Sequence, residues 1–238
     1  MNSNDVYDFD TGADKNKKES VVNLFGNRTV INIIAWLFLV LGFVGLTLVA
    51  VQARSPRSIL FTMICHINMV FMLQCPPFRL SYYGVGEPLL FISFGPFSTI
   101  AFYLLHSIKS ELPISGTIVW SSILVGLTTS LILFCSHFHQ IEDDKAVGKI
   151  SPLVRLGTET GSKVVKWAVI GLYSLLLALG FTQTLPLASV ILCAMTLPMG
   201  NLVVSFVEKN HKVRNTFFYF FIYLLTLTLK NVQGLFYR

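Results

Sequence analysis

Long apolar runs without a charged residue are the feature that most restricts how this chain folds. A helix of about 20 apolar residues is long enough to cross the hydrocarbon layer of a bilayer. Runs of this kind cover residues 30–51, 58–75, 88–106, 114–135, 167–182, 185–207 and 216–235, the last of them interrupted by Lys230. The pattern therefore predicts an all-α integral membrane protein that crosses the membrane about seven times.

The composition is also that of a membrane protein, because only 13% of residues are charged and 53% are apolar. The net charge of +6 is better explained by membrane topology than by nucleic-acid binding. We therefore expect membrane lipid as a partner and no nucleic acid. The four cysteines form no CxxC pair and lie in or at the ends of apolar runs, which indicates buried apolar residues rather than a zinc or redox site.

The predicted spans divide the loops between two sides of the membrane. Residues 1–29, the loop around Arg79, residues 136–166 and residues 208–215 fall on one side, which carries most of the 18 Lys and Arg residues. The positive-inside rule places this side in the cytosol or its organellar equivalent. The same side carries every acidic residue except Glu111, so the most polar segments of the chain are expected to meet at one membrane surface.

Two polar segments contain most of the residues that could do chemistry. The N-terminal segment, residues 1–29, contains NDVYDFDTGADK, and the second polar segment, residues 137–157, reads HFHQIEDDKAVGKISPLVRLG. The second segment combines three consecutive acidic residues with Lys149 and Arg155. Basic side chains of this kind can neutralise a diphosphate.

Each segment places side-chain oxygens at helical spacing. Residues four apart on a helix point the same way, as Asn4 and Asp8 do in the N-terminal segment and Gln140 and Asp144 do in the second. Mg²⁺ binds hard oxygen ligands, commonly one or two carboxylates together with phosphate oxygens. Two facing clusters could therefore hold Mg²⁺ ions that bridge a diphosphate. The pattern alone leaves open that both segments are ordinary solvated loops.

Three stretches together resemble the UbiA superfamily of membrane prenyltransferases. NDVYDFDTGADK resembles its first aspartate-rich motif, in the form used by the 1,4-dihydroxy-2-naphthoate branch, and HQIEDDKAVGKISPLVRLG resembles its second. CPPFRLSYYGVGEPLLFISFGP, residues 75–96, is similar to a loop and helix start of the naphthoate phytyltransferases of plants and cyanobacteria. The resemblance implies a nine-helix bundle. It divides the chain into residues 1–29, the first motif with its loop, and residues 30–238, the transmembrane prenyltransferase domain with the second motif at 137–157.

The resemblance also implies roles for individual residues. The residues expected to bind Mg²⁺ are Asn4, Asp5, Asp8, Gln140, Asp143 and Asp144, and Asp14 also belongs to the first motif. The residues expected to be essential for catalysis are Asp5, Asp8 and Asp144. The residues expected to contact the diphosphate are Lys149 and Arg155, and those expected to shape the acceptor pocket are Arg79, Tyr82 and Tyr83.

The reaction that the resemblance implies is magnesium-dependent transfer of a prenyl group, phytyl in this branch, from its diphosphate to 1,4-dihydroxy-2-naphthoate. Loss of diphosphate leaves an allylic cation, which the electron-rich ring attacks with loss of its carboxylate. The product is the demethyl precursor of phylloquinone. The implied location is a chloroplast (plastid) membrane, or the inner membrane of a bacterium or cyanobacterium.

Other functions fit parts of the pattern. A small membrane transporter would keep ionisable groups near the middle of the bilayer, whereas here the carboxylates cluster at one surface. Homogentisate or 4-hydroxybenzoate as the acceptor is disfavoured by the GxDK ending of the first motif and by the HQIEDD string. A polyprenyl donor, as in menaquinone synthesis, stays open because the accepted donor length depends on the shape of a cavity.

The chain departs from the superfamily pattern in three places. Gln140 stands where most members have an aspartate, which leaves one charged ligand fewer. Only three residues precede Asn4, so the first helix of the nine and nearly all of the second are expected to be missing. The sequence after about His211 no longer follows the pattern. We expect the 238-residue chain to insert into the membrane but to transfer little or no prenyl group alone, and the two missing helices to restore some of the activity.

Overall fold

The structure, a computed structural model, describes residue 10 and residues 26–53, 56–57, 59–60, 62–64, 80–105 and 113–210. All regular elements in these residues are helical, which confirms the all-α prediction for them. The described helical stretches that are long and apolar enough to cross a membrane are Arg28–Gln52, Gly86–Leu105, Gly116–Ser136, Thr158–Phe181 and Leu187–Glu208. The predicted second span is described only in part, and the predicted seventh lies outside the described residues.

The helices of the described residues are numbered along the chain. They are α1 Arg28–Ala53, α2 Gly86–Ile92, α3 Thr99–Leu105, α4 Gly116–Ser136, α5 Ile141–Ala146, α6 Pro152–Leu156, α7 Thr158–Phe181, α8 Leu187–Ala194 and α9 Leu197–Asn210. Tight 3₁₀ turns cover Leu80–Tyr83 and His137–His139, and a wider π turn, Ser93–Ser98, joins α2 to α3. Helix α1, the α2–α3 unit and α4 begin and end close to the runs predicted for them.

Contacts between helix ends show that successive spans are antiparallel. The Thr117 hydroxyl, at the start of α4, donates to the Thr184 carbonyl, just after α7, over 2.9 Å. Towards the opposite end of α7, Lys166 pairs with Glu208 of α9 over 3.0 Å. The predicted alternation is confirmed for these spans. It places the second polar segment at the end of the bundle that carries the pair of Lys166 and Glu208.

The predicted start of the fifth span, at Trp167, is wrong. Helix α7 begins at Thr158, and its first turns contain charged residues that hide it from a search for apolar runs. In the structure Gly161 and Val165 are buried, whereas Lys163 is exposed. These turns are therefore amphipathic, with a small apolar face towards the bundle and a charged face away from it.

The predicted sixth span is interrupted, which its apolar sequence does not indicate. The chain turns at Met195 and Thr196, between α8 and α9. Pro198 explains the break, because proline has no N–H and clashes inside a helix but is tolerated in a first turn. The Met199 N–H donates to the Thr196 carbonyl over 3.0 Å, so α9 starts as a new helix after the turn.

The α2–α3 unit crosses α4 at two glycines. A Cβ on Gly95 would lie 2.7 Å from the Ser122 carbonyl oxygen and 2.9 Å from the Cα of Gly126. A Cβ on Gly126 would lie 2.8 Å from the Phe91 carbonyl oxygen. Small residues allow helix backbones to approach this closely within a membrane. The crossing therefore fixes how α2 and α4 lie against each other.

A hydrophobic cluster attaches the second polar segment to the bundle. Phe138 and Leu153, which flank the polar residues of this segment, are fully buried. The other buried members of the cluster, from α4, α7 and α9, are Leu131, Phe134, Cys135, Val165, Val169, Val203 and Val207. The residues between Phe138 and Leu153 are thereby held at one end of the bundle.

Replacing Gly95 by alanine is expected to lower the melting temperature of the protein in detergent. The added methyl group meets backbone atoms, which cannot move away as a flexible side chain can, and overpacking typically costs about 1–3 kcal/mol. Gly171→Ala is the matched control, because nothing lies within 4 Å of the Cβ position there. Equal melting temperatures for the two variants would contradict the close crossing of α2–α3 and α4.

Candidate active site at the second polar segment

The tyrosine turn, residues 80–84, packs against the second polar segment. The Ile150 N–H donates to the Tyr82 carbonyl over 2.9 Å. The Arg155 guanidinium donates to the Tyr83 carbonyl over 3.0 Å. Both bonds use main-chain carbonyls and therefore fix the backbone of the turn. The structure thus brings two residues expected to shape an acceptor pocket next to one expected to bind diphosphate.

Gly84 makes the close approach of the tyrosine turn possible. Its φ is 76°, in the left-handed region that residues with a Cβ adopt only at a cost. A Cβ on Gly84 would also lie 2.6 Å from the Ile150 carbonyl oxygen. Only glycine satisfies both conditions, so the docking of the turn depends on this residue.

Asp144 and Lys149 form a buried ion pair within the second polar segment. Asp144 is 1% exposed and Lys149 is 4% exposed, and the Lys149 Nζ lies 3.4 Å from the Asp144 Oδ1. The Lys149 N–H also donates to the Asp144 carbonyl over 2.9 Å. The ammonium group lies 5.7 Å from the centre of the Tyr82 ring, within the range of a cation–π interaction. Asp144, which is expected to bind Mg²⁺, and Lys149, which is expected to contact the diphosphate, are thus direct neighbours.

Gln140 and Asp143 precede Asp144 by four residues and by one residue, and both are only half-buried. Gln140 immediately precedes α5, and its carbonyl accepts a hydrogen bond from the Asp144 N–H over 2.7 Å, which is the four-residue relation assumed from the sequence. In the part of the chain that the structure describes, no group of three or more His, Cys, Asp or Glu is arranged to hold a metal ion. Of the residues expected to bind Mg²⁺, those that the structure describes are Gln140, Asp143 and Asp144, and their role in binding Mg²⁺ stays a prediction.

Several residues expected in the site lie outside the described residues. They are Asn4, Asp5, Asp8, Asp14 and Arg79, and their roles stay predictions. Asp10 is described, and its carboxylate forms an ion pair with Arg28 at the start of α1. This contact places Asp10 beside the start of the first described span.

Glu87 and His137 are buried residues that were not predicted from the sequence to belong to the site. The Glu87 Oε1 lies 3.2 Å from the His137 Nδ1, although neither atom makes a well-aligned hydrogen bond. Glu87 lies in the first turn of α2, and His137 directly follows α4. Their position in the sequence could have indicated a role, since both stand at the ends of apolar runs on the side of the membrane that carries the second polar segment.

Residues 1–225 match the UbiA prenyltransferase family. The chain belongs to the UbiA family. The helical architecture with several candidate spans described above agrees with this assignment, and it makes the chain part of a multi-pass membrane protein. The family resemblance predicted from the three sequence stretches is confirmed.

Two curated proteins are similar to this UbiA chain. The chloroplastic 2-carboxy-1,4-naphthoquinone phytyltransferase of Arabidopsis thaliana is 60% identical over 213 residues, which cover 88% of the chain and 56% of the relative. The 2-carboxy-1,4-naphthoquinone phytyltransferase of Synechocystis sp. (strain ATCC 27184 / PCC 6803 / Kazusa) is 45% identical over 178 residues, 75% of the chain and 56% of the relative. The chain thus spans little more than half the length of these relatives. No solved structure matches it.

Replacing Gly84 by alanine is expected to loosen the tyrosine turn of this UbiA chain. The methyl group would meet the Ile150 carbonyl, so the hydrogen bond from the Ile150 N–H should open and its amide hydrogen should exchange faster. Gly26→Ala is the matched control, because Gly26 also has a positive φ, 68°, with nothing within 4 Å of its Cβ position. Hydrogen exchange measured by mass spectrometry on peptides containing Ile150 checks this. The same exchange rate in both variants would argue against the docking.

Proposed function

We propose that the protein carrying this chain transfers a phytyl group from phytyl diphosphate to 1,4-dihydroxy-2-naphthoate in phylloquinone synthesis. The observation that carries the proposal is the 60% identity over 213 residues with the Arabidopsis phytyltransferase. The Synechocystis relative bears the same enzyme name at 45% identity, which supports the same reaction. The two polar segments supply the chemistry in this proposal, and the spans supply an apolar site for the prenyl tail.

The reacting acceptor in this proposal is the reduced naphthalene ring. The names of both relatives specify 2-carboxy-1,4-naphthoquinone, and a quinone ring is too electron-poor to attack a cation. Its two-electron-reduced form, 1,4-dihydroxy-2-naphthoate, is electron-rich. The C–O bond of the donor breaks, diphosphate leaves, and the ring carbon that bears the carboxylate forms the new C–C bond. Loss of carbon dioxide then restores the aromatic ring.

Mg²⁺ is the cofactor in this proposal. Gln140, Asp143 and Asp144 offer the hard oxygen atoms that Mg²⁺ prefers, and one or two carboxylates with phosphate oxygens are a common ligand set. The chemistry of these donors therefore fits the ion. Asn4, Asp5 and Asp8 of the first motif would supply the facing ligands. When bound, the ion would neutralise the charge that develops on the departing diphosphate.

The chain's own basic residues complete the diphosphate site. Arg155 is exposed beside the tyrosine turn, and a guanidinium binds phosphate oxygens in a bidentate manner. Lys149 is paired with Asp144. A diphosphate that accepts a hydrogen bond from Lys149 would therefore free the Asp144 carboxylate to bind Mg²⁺.

The finer architecture and the location belong to the same proposal. The chain would supply about seven helices of a nine-helix bundle, with the prenyl tail between them. The Arabidopsis relative is described as chloroplastic, which supports a chloroplast membrane. In a bacterium or cyanobacterium the corresponding location is the inner membrane.

Replacing Asp8 or Asp144 by alanine is expected to lower magnesium-dependent phytyl transfer at least about a hundredfold, because each change removes an anionic ligand. Gln140→Ala should lower transfer less, since a neutral ligand is lost. Glu159→Ala is the control, because Glu159 lies on the exposed face of α7, where it pairs with Lys163. The assay measures product from phytyl diphosphate and 1,4-dihydroxy-2-naphthoate in membranes of a host without its own naphthoate prenyltransferase.

Two forms of the protein are assayed: the chain alone, and a fusion with the N-terminal helices of the Arabidopsis relative ahead of residue 1. Product in either form supports the proposal. Product from homogentisate or 4-hydroxybenzoate, but none from the naphthoate, would contradict the proposed acceptor. If Asp144→Ala behaves like Glu159→Ala, the metal is held elsewhere.

A further inference from the structure

A second acid–base pair is buried at the same end of the bundle as the second polar segment. Glu87 is 8% exposed and His137 is 3% exposed, and the Glu87 Oε1 lies 3.2 Å from the His137 Nδ1. Neither Glu87 oxygen makes a well-aligned hydrogen bond with the described residues. Burying a carboxyl group with so few partners is unfavourable. A buried acid–base pair is also weak evidence for stability, because apolar residues often serve as well.

The pair connects the two parts of the candidate active site. Glu87 follows the tyrosine turn by one turn of helix, and His137 opens the second polar segment. The Ser130 hydroxyl of α4 donates to the Glu87 carbonyl over 2.9 Å, which holds the start of α2 against α4. The side-chain contact of Glu87 with His137 adds a second attachment between the same two helices. The pair of Glu87 and His137 therefore lies where the tyrosine turn and the second polar segment leave the bundle.

We propose that Glu87 and His137 are positioning residues that set the tyrosine turn against the second polar segment and thereby determine affinity for the aromatic acceptor. The part that concerns the acceptor rests on the proposed phytyltransferase function. The pair acts through the tyrosine turn. It attaches the start of α2 to the end of α4, and Gly84 stands two residues before α2. The position of α2 therefore sets how Gly84 lies against the Ile150 carbonyl. Small displacements of a substrate-positioning group are costly, since about 1 Å can lower the rate about a hundredfold.

Positioning and direct proton transfer make different demands on this buried pair, whose Glu87 oxygens and His137 Nδ1 are shielded from solvent. A positioning role needs the shape and polarity of the side chain, whereas a proton acceptor needs its charge. Glu87→Gln keeps the shape and loses the charge, and its amide can donate to His137. Glu87→Ala loses both.

The first test reads the tyrosine turn without any assay of activity. Hydrogen exchange at Ile150 is measured by mass spectrometry in detergent for the wild type, Glu87→Ala, Glu87→Gln and the exposed control Glu159→Ala. Glu87→Ala is expected to lose protection at Ile150, and the other two variants are expected to keep it. Wild-type protection in Glu87→Ala would overturn the proposal. If that variant does not accumulate, Glu87→Asp replaces it, because it keeps the carboxylate but withdraws it from His137, and unchanged protection there would equally overturn the proposal.

The second test compares the two substrates in the fusion protein described above. Glu87→Ala is expected to raise KM for the naphthoate by about tenfold or more and to change KM for phytyl diphosphate much less. Glu87→Gln should keep the wild-type KM for the naphthoate. Loss of turnover in Glu87→Gln with normal protection at Ile150 would assign proton transfer to Glu87 and overturn positioning. An equal rise of both KM values in Glu87→Ala would also overturn it.

The two tests fail in distinguishable ways. If neither the chain alone nor the wild-type fusion forms phytylated product, the proposed function fails, while the exchange at Ile150 still decides whether the pair holds the turn. If the wild type is active and Glu87→Ala matches Glu159→Ala in both tests, the positioning proposal fails and the proposed function stands.

Discussion

The hydrogen bond from the Ile150 N–H to the Tyr82 carbonyl is the contact on which the candidate site depends. It joins a turn that precedes α2 to a segment that follows α4, and the two can meet only if α2 and α4 run in opposite directions with their ends level. The glycine crossing at Gly95 and Gly126 allows that close packing. Gly84 then allows the turn to reach the second polar segment.

Buried ionisable side chains at this end of the bundle lie in two pairs. Asp144 lies against Lys149, and Glu87 lies against His137. Removing one member of such a pair is strongly destabilising because it leaves the other without a partner, whereas the intact pair adds little to stability. We therefore infer that the pair of Glu87 and His137 serves to position the neighbouring segments. Both pairs adjoin the segments that are proposed to hold the substrates.

The spans were predictable where length and absence of charge decide the structure. Helices α1 and α4 follow charge-free runs almost residue by residue. The start of α7 was missed because its lysines lie on an exposed face, and the break before α9 was missed because Pro198 stands inside an apolar run. In both cases a local feature overrides the average hydropathy of the run.

The candidate site was predictable in its motifs but not in its contacts. The resemblance to the UbiA family is confirmed. The Asp144 N–H bonds to the Gln140 carbonyl, whereas the prediction that the two side chains share one face stays a prediction. The pairing of Asp144 with Lys149, and that of Glu87 with His137, depends on how elements pack, and neither periodicity nor motif spacing encodes it. The placement of Asn4, Asp5 and Asp8 opposite the second motif stays a prediction.

The contact of the tyrosine turn with the second polar segment is tested most directly by cross-linking. Cysteines replace Tyr83 and Arg155 in a chain whose native cysteines are changed to alanine, and a short bifunctional thiol reagent is added in membranes. The Arg155 guanidinium reaches the Tyr83 carbonyl, so rapid cross-linking within one chain is expected. A pair at Tyr83 and Thr182, which follows the far end of α7, is the control and should not cross-link. Equal yields from the two pairs would contradict the docking on which the candidate site is built.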